Sequence, residues 1–259
     1  MFVYPEFLSP VAFEVFGFAI RWYSLSYILG FIFFYIFAST HLNHFNLDKK
    51  KLDDLFFYLF LSVVIGGRLG YVFFYNFSFY LANPLDIFKV WQGGMSFHGA
   101  LLGVIITTIL FAKIKSIKLF LIADLLSISA PLGIFLGRLS NFLNQELVGR
   151  QTDFFISIQY SGEEFYRHLS QIYEAIFEGF IPFIILLIIF KFFKNLPKGI
   201  ITSIFLINYA TVRFLIEYLR EPDFQIGLIF NLFTQGQILS FPILIIGLVI
   251  LYTCLFNKK

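Results

Sequence analysis

The sequence predicts an all-α, polytopic integral membrane protein, on three observations. Of 259 residues, 59% are hydrophobic and only 14% are charged, where soluble domains carry about a quarter. Mean hydropathy is +0.82. Seven segments also approach the roughly 20 apolar residues that cross a hydrocarbon core. So few charges cannot cover a water-soluble surface. The net charge of +3 is small, and no nucleic-acid partner is expected.

The segments fall at residues 18–40, 55–75, 94–112, 119–139, 172–190, 199–219 and 238–256. Internal prolines such as Pro131 and Pro182 are tolerable in membrane helices. With no internal repeat or low-complexity linker, one membrane domain over residues 1–259 is expected, with its largest polar loop at about 140–171. The first twenty residues hold no Lys or Arg, so a cleavable signal with its basic start is not expected. A lone cysteine, Cys254, excludes an internal disulfide.

Lysines orient the chain. With seven spans, eleven of the twelve (Lys49, Lys50, Lys51, Lys113, Lys115, Lys118, Lys191, Lys194, Lys198, Lys258 and Lys259) share one side, and only Lys89 falls opposite. The positive-inside rule makes that side cytoplasmic, leaving the N-terminus outside and the C-terminus inside. The seven arginines behave differently: all lie within spans or on the outer side. An arginine in a span costs about 2.5–3.5 kcal/mol, and the lysines already set the topology.

At a rise of about 1.5 Å per residue, Arg68 lies about 20 Å and Arg213 about 21 Å from the cytoplasmic starts of the second and sixth spans. Arg138 reaches about 28 Å, and His98 lies about 6 Å in from the outer side. These groups fit the outer half of the bilayer. Tyr209, Arg213, Glu217 and Arg220 are spaced to share one helix face. Arg138 and Asn141 close the fourth span, and Asn144, Glu146 and Gly149 follow. Guanidinium forks with amide and carboxylate helpers suit a phosphate, and a histidine moves protons near neutral pH. No Ser-His-Asp pattern, P-loop or metal-ligand cluster is evident, so neither a covalent nucleophile, a metal nor a cofactor is called for.

Each signal also has a plainer reading. Arg213 and Glu217 are spaced as a structural ion pair. Arg68, beside Gly66, Gly67 and Gly70, suits lipid head groups. A single His in an apolar segment often only packs, Glu146 in a polar loop is readily solvated, and Asp124 suits a partner for an arginine.

Six blocks in order, over about Trp22 to Gly236, resemble the bacterial prolipoprotein diacylglyceryl transferases. They are Arg21-Trp22-Tyr23; Gly66-Gly67-Arg68-Leu69-Gly70-Tyr71-Val72; Gly93-Gly94-Met95-Ser96-Phe97-His98-Gly99; Gly137 to Glu146; Arg167 to Glu174; and Tyr209 to Arg220 with Glu221-Pro222-Asp223. Ser140 and Gln145 stand where the family usually has Gly, and Leu169 where it has Pro.

The resemblance implies transfer of the diacylglyceryl group of phosphatidylglycerol to the lipobox cysteine thiol of a preprolipoprotein, in the bacterial inner membrane. It also fits an enzyme without a nucleophile, since the substrate supplies the thiol. On that basis Arg138 and Arg213 hold the phosphate, Arg213 stabilises charge as the C–O bond breaks, and His98 takes the thiol proton or donates one to the leaving group. Asn141, Glu146 and Tyr23 orient the head group, with Tyr209 and Arg68 also in the binding set. Glu217 fixes an arginine rotamer, and Arg220, Gly149 and Asn144 support. A transporter for an anionic metabolite is the rival, but repeated halves or matched broken helices are not found. A lipid-binding scaffold is the third reading.

Overall fold

The computed structural model describes residues 1–222, 227–229 and 232–256. Asp223 and the orienting Lys258 and Lys259 lie outside the described residues. Seven long helices carry the described chain: α1 (Trp22–Thr40), α2 (Lys49–Phe74), α3 (Phe97–Ile114), α4 (Leu119–Leu143), α5 (Ser170–Phe192), α6 (Ile200–Ile216) and α7 (Gln235–Phe256). Six are long and apolar enough to cross a membrane, and α6 is a shorter apolar helix of 17 residues. The chain is a polytopic, all-α membrane protein. Apolar side chains such as Ile245 and Val249 of α7 point outward, as a lipid solvent allows.

Among the described residues five short strands accompany the helices: β1 (Phe2–Val3), β2 (Val11–Val15), β3 (Phe18–Arg21), β4 (Ser157–Gln159) and β5 (Arg167–His168). Residues 18–21, expected to open the first span, instead form β3 and pair antiparallel with β2. Phe16 and Gly17, both at positive φ, make the tight turn between them. The second span begins earlier than its hydropathy suggests. Asp48 caps α2 by accepting from the Lys51 amide at 2.7 Å, so the basic triplet becomes the first helical turn. The third starts at Phe97, because Gly93 and Gly94 take φ values of +85° and +79° that no right-handed helix accepts.

The chain divides into two compact units, residues 35–123 and residues 1–34 with 124–259. Within the first, α2 and α3 meet through Gly66, Gly70, Gly99 and Gly103. A Cβ added at Gly70 would lie 2.7 Å from the Gly99 Cα, and one at Gly66 would run into the Gly99 carbonyl. Membrane helices use such small-residue seams to bring backbones together.

Within the larger unit, Gly179 of α5 packs on α4, where an added Cβ would fall 2.6 Å from the Phe135 Cα. Asp124 near the start of α4 accepts from the Gly199 amide (2.7 Å), the Thr202 amide (2.9 Å) and the Thr202 hydroxyl (2.6 Å). It therefore caps α6, a correction to its expected pairing with an arginine: a carboxylate satisfies the unbonded amides of a helix start. Thr234 and Gln237 cap α7 reciprocally, each side chain accepting from the other's amide, a capping box. The segment between α4 and α5 is tied down by a sheet in order β1–β4–β5 over a small core of Tyr4, Ile158 and Tyr160. Burial pushes the Tyr160 hydroxyl up to about 12, so it stays protonated and donates to Gln171 at 3.2 Å.

Candidate functional site

Three of the predicted arginines converge in the larger unit on three carboxylates. Arg138, five residues from the end of α4, reaches Glu178 with Nε (3.3 Å) and Nη2 (3.0 Å), and Glu174 with Nη1 (3.1 Å). Arg213 of α6 closely contacts both Glu174 and Glu217, and lies 3.8 Å from Glu178. Arg220 stands 3.5 Å from Glu174 and 3.6 Å from Glu217. The side chains of Glu174 and Glu178 are fully buried. Among the described residues three arginines face three carboxylates, the pairing that buried ionised groups require.

Local backbone builds this cluster. Glu174 and Glu178 lie four apart on α5, whose residues Ala175–Phe180 form a π-helical turn. Pro182, which has no N–H, follows that turn. Such a widened turn is a frequent companion of function and re-aims side chains. The close approach of Gly179 to Phe135 brings this turn within reach of Arg138, one turn further along α4. Across the cluster, an added Cβ at Gly236 would press into Glu217 and lie 3.1 Å from the Arg213 Nη2. Arg213, Glu217, Arg220, Thr234 and Gly236 line a small cleft there.

A second group forms where α4 ends. Asn141 and Asn144 each donate a side-chain amide to the Glu146 carboxylate, at 3.3 and 3.2 Å. The Glu146 backbone is clamped between the Asn141 carbonyl (2.9 Å) and the Gln171 side chain (2.7 Å). Gln145 adopts φ +54°, a left-handed conformation that glycine enters freely. The expected glycine is thus replaced by Gln without losing the turn. Ser140 bonds back to the Leu136 carbonyl at 3.0 Å, and Leu169 at φ −80° sits near the angle proline fixes. Gly149 bridges to Arg220, and a Cβ there would strike the His168 carbonyl.

Arg68 and His98 belong to the unit of residues 35–123. Arg68 is buried and aims its five N–H groups at carbonyls: Ile87 (2.9 Å), Asp86 (2.6 Å), Lys89 (3.3 Å), Gly93 (2.5 Å) and Gly94 (3.2 Å). It also stacks on Tyr80 at 5.1 Å. In this arrangement every donor is engaged by backbone, and Arg68 staples residues 86–94. Those residues lead directly into α3, where Ser96 caps the helix through the Gly99 amide and His98 is presented, exposed, in the first turn.

Tyr23 is half exposed and edge-on to Tyr27 at 5.4 Å. Tyr209 is partly buried against Phe205, within electrostatic reach of Arg138. Glu174 and Glu178 are the residues sequence reasoning missed. Their signal was present: two acids four apart in an otherwise apolar span demand cationic partners.

Among the described residues no group of His, Cys, Asp or Glu is placed to hold a metal. A polytopic α-helical fold with a cluster of buried Arg and Glu side chains defines an integral membrane protein that holds charged groups among its helices. Comparison with known proteins gives that class a family. Residues 10–253 match the family described as prolipoprotein diacylglyceryl transferase. A phosphatidylglycerol–prolipoprotein diacylglyceryl transferase of Ehrlichia ruminantium is 44% identical over 248 residues, 94% of this chain and 96% of its own. The enzyme of the same name from Aeromonas hydrophila is 44% identical over 95% of this chain and 90% of its own. That from Rickettsia canadensis is 43% identical, covering 95% and 96%. The chain belongs to the prolipoprotein diacylglyceryl transferase family.

Proposed function

We propose that this chain transfers the diacylglyceryl group of phosphatidylglycerol to the lipobox cysteine of preprolipoproteins, as an early step of lipoprotein maturation in the bacterial inner membrane. Its substrates are the phospholipid and the cysteine-bearing signal peptide, both arriving from the membrane. The thiolate sulfur attacks the glyceryl carbon next to the phosphate ester. A C–S thioether forms, the C–O bond breaks, and glycerol 1-phosphate leaves with the electron pair. The thiol, of ordinary pKa about 8.5, must first lose its proton, and His98 either takes that proton or donates one to the leaving group.

The observation that carries this reading is the Arg138–Arg213 pair, held side by side among fully buried carboxylates in a chain of this family. Two guanidinium forks suit a phosphate bidentately and stabilise the charge that grows on the leaving group. Asn141, Asn144 and Glu146 form a preset polar patch for the glycerol head group, with Tyr23 and Tyr209 beside the lipid. Glu217 fixes the Arg213 rotamer, while Arg220 and Gly149 brace the loop after α4. The lysine distribution supports a cytoplasmic C-terminus and an active site toward the outer leaflet.

The test is mass analysis of a lipobox peptide incubated with the purified protein and phosphatidylglycerol vesicles. The peptide gains a diacylglyceryl mass on its cysteine, and glycerol 1-phosphate appears in equal amount. An unmodified peptide, with folded protein and both substrates present, overturns the reading and leaves a transporter or scaffold.

A further inference from the structure

We propose that Glu174 and Glu178 are positioning residues for phosphate recognition: together they hold the guanidinium groups of Arg138 and Arg213 as a pair. This deepens the function proposed above and rests on it. Two guanidinium groups repel each other, and repulsion grows where water is excluded. Here both carboxylates lie between the two cations. Glu174 touches Arg138 (3.1 Å) and Arg213, and Glu178 touches Arg138 (3.0 Å) with Arg213 at 3.8 Å. Neither acid has any solvent exposure, so neither is a group that substrate meets. Glu217 differs, because it lines the cleft beside Gly236.

The groups facing the pair are therefore Arg138 from α4, Arg213, Glu217 and Arg220 at and beyond the end of α6, and Tyr209. One oxygen on each acid, Glu174 Oε2 and Glu178 Oε1, lacks a well-formed hydrogen bond. With Nε and Nη2 of Arg138 on Glu178 and its Nη1 on Glu174, the two acids fix the plane of that guanidinium group. The π-helical turn and Gly179 set both carboxylates at the height of Arg138. A strict α-helix, or any side chain at 179 against the Phe135 backbone, would withdraw them.

Replacing one acid by its amide has two opposed effects. The cluster gains one unit of positive charge, which favours an anion. It also loses the bridge that keeps the forks parallel, which the transition state needs. Turnover and affinity should therefore separate, as they would not for an acid that only stabilises the fold. The experiment measures lipidation by the full-length enzyme at varied phosphatidylglycerol, with inhibition by glycerol 1-phosphate, for wild type, Glu178→Gln and Glu174→Gln.

The expected result is a fall in kcat of at least tenfold per folded enzyme, no rise in KM, and tighter inhibition by glycerol 1-phosphate. Unchanged kcat overturns the proposal, as does a loss of activity that only tracks loss of folded protein, or a raised KM with kcat intact. Should either amide variant fail to fold, Glu178→Asp keeps the charge but shortens the reach. It should give a kcat between wild type and a tenth of it, and full wild-type kcat overturns the proposal. A wild-type enzyme that adds no diacylglyceryl group at all instead removes the function on which the proposal rests.

Discussion

The molecule places arginines inside apolar helices in two ways. Arg68 meets only backbone carbonyls and an aromatic face, whereas Arg138 and Arg213 meet carboxylates that are themselves buried. Carbonyls are fixed by the fold, so the Arg68 contacts amount to a rigid stitch, and among the described residues no carboxylate forms an ion pair with it. The carboxylates around Arg138 and Arg213 balance charge and bridge neighbours. A phosphate offers the same chemistry as a carboxylate and suits the same guanidinium groups. The two settings differ in what accepts the arginine protons: carbonyls of one segment at Arg68, and carboxylates shared between neighbours at Arg138 and Arg213.

Substitution by lysine tests that contrast most sharply. Lys keeps the charge but offers a compact ammonium in place of a planar fork. At Arg138, Lys should lower lipidation about ten- to a hundred-fold, and Ala by more, measured as rate per folded enzyme. Ala also leaves Glu174 and Glu178 short of a partner, a loss of about 3–5 kcal/mol in a buried pair. Near-normal activity in Arg138→Lys would reduce Arg138 to a countercharge. At Arg68 the order inverts. One ammonium cannot serve five carbonyls, and each buried group left unpaired costs about 1–3 kcal/mol. Arg68→Lys should therefore show a lowered thermal midpoint in detergent first, with turnover falling only as the turn before His98 loosens. A stable Arg68→Lys enzyme with unaltered melting would break the contrast.

Smaller effects lie at the edges of the site. Gln145 is exposed and left-handed, and that backbone costs a non-glycine residue about 1–2 kcal/mol. Gln145→Gly removes this strain while adding unfolded-chain entropy. A net stabilisation below about 1 kcal/mol in denaturant unfolding is expected, with lipidation unchanged. Cys254 lies in the last turn of α7, with its Sγ 3.2 Å from the Lys198 carbonyl. Arg213 is about 20 Å further along α6 from there. Cys254→Ser should leave turnover at the wild-type level, and a large loss would contradict a thiol supplied only by substrate.

The helices were legible in the sequence because hydropathy alone sets them, and so were Arg138, Arg213, Glu217 and Arg220, because charge inside a span is conspicuous. The edges were not. Residues 18–21 are as apolar as a helix start, yet a positive-φ Phe-Gly turn folds them into a strand, and Asp48 extends α2 backward over three lysines. The carbonyl partners of Arg68 were not legible, because backbone carbonyls leave no mark in a sequence. Asp124 was misassigned because its partners, the amides of Gly199 and Thr202, are equally silent. Glu174 and Glu178 were visible as acids in an apolar span, but the π-helical turn that aims both at Arg138 has no side-chain signature.

The most direct measurement is an experimental structure with phosphatidylglycerol bound in a lipid environment. The account predicts phosphate oxygens within about 3 Å of nitrogens of both Arg138 and Arg213, with Glu174 and Glu178 still gripping those side chains from behind. A head group bound elsewhere, with both arginines closed on their carboxylates, would contradict it.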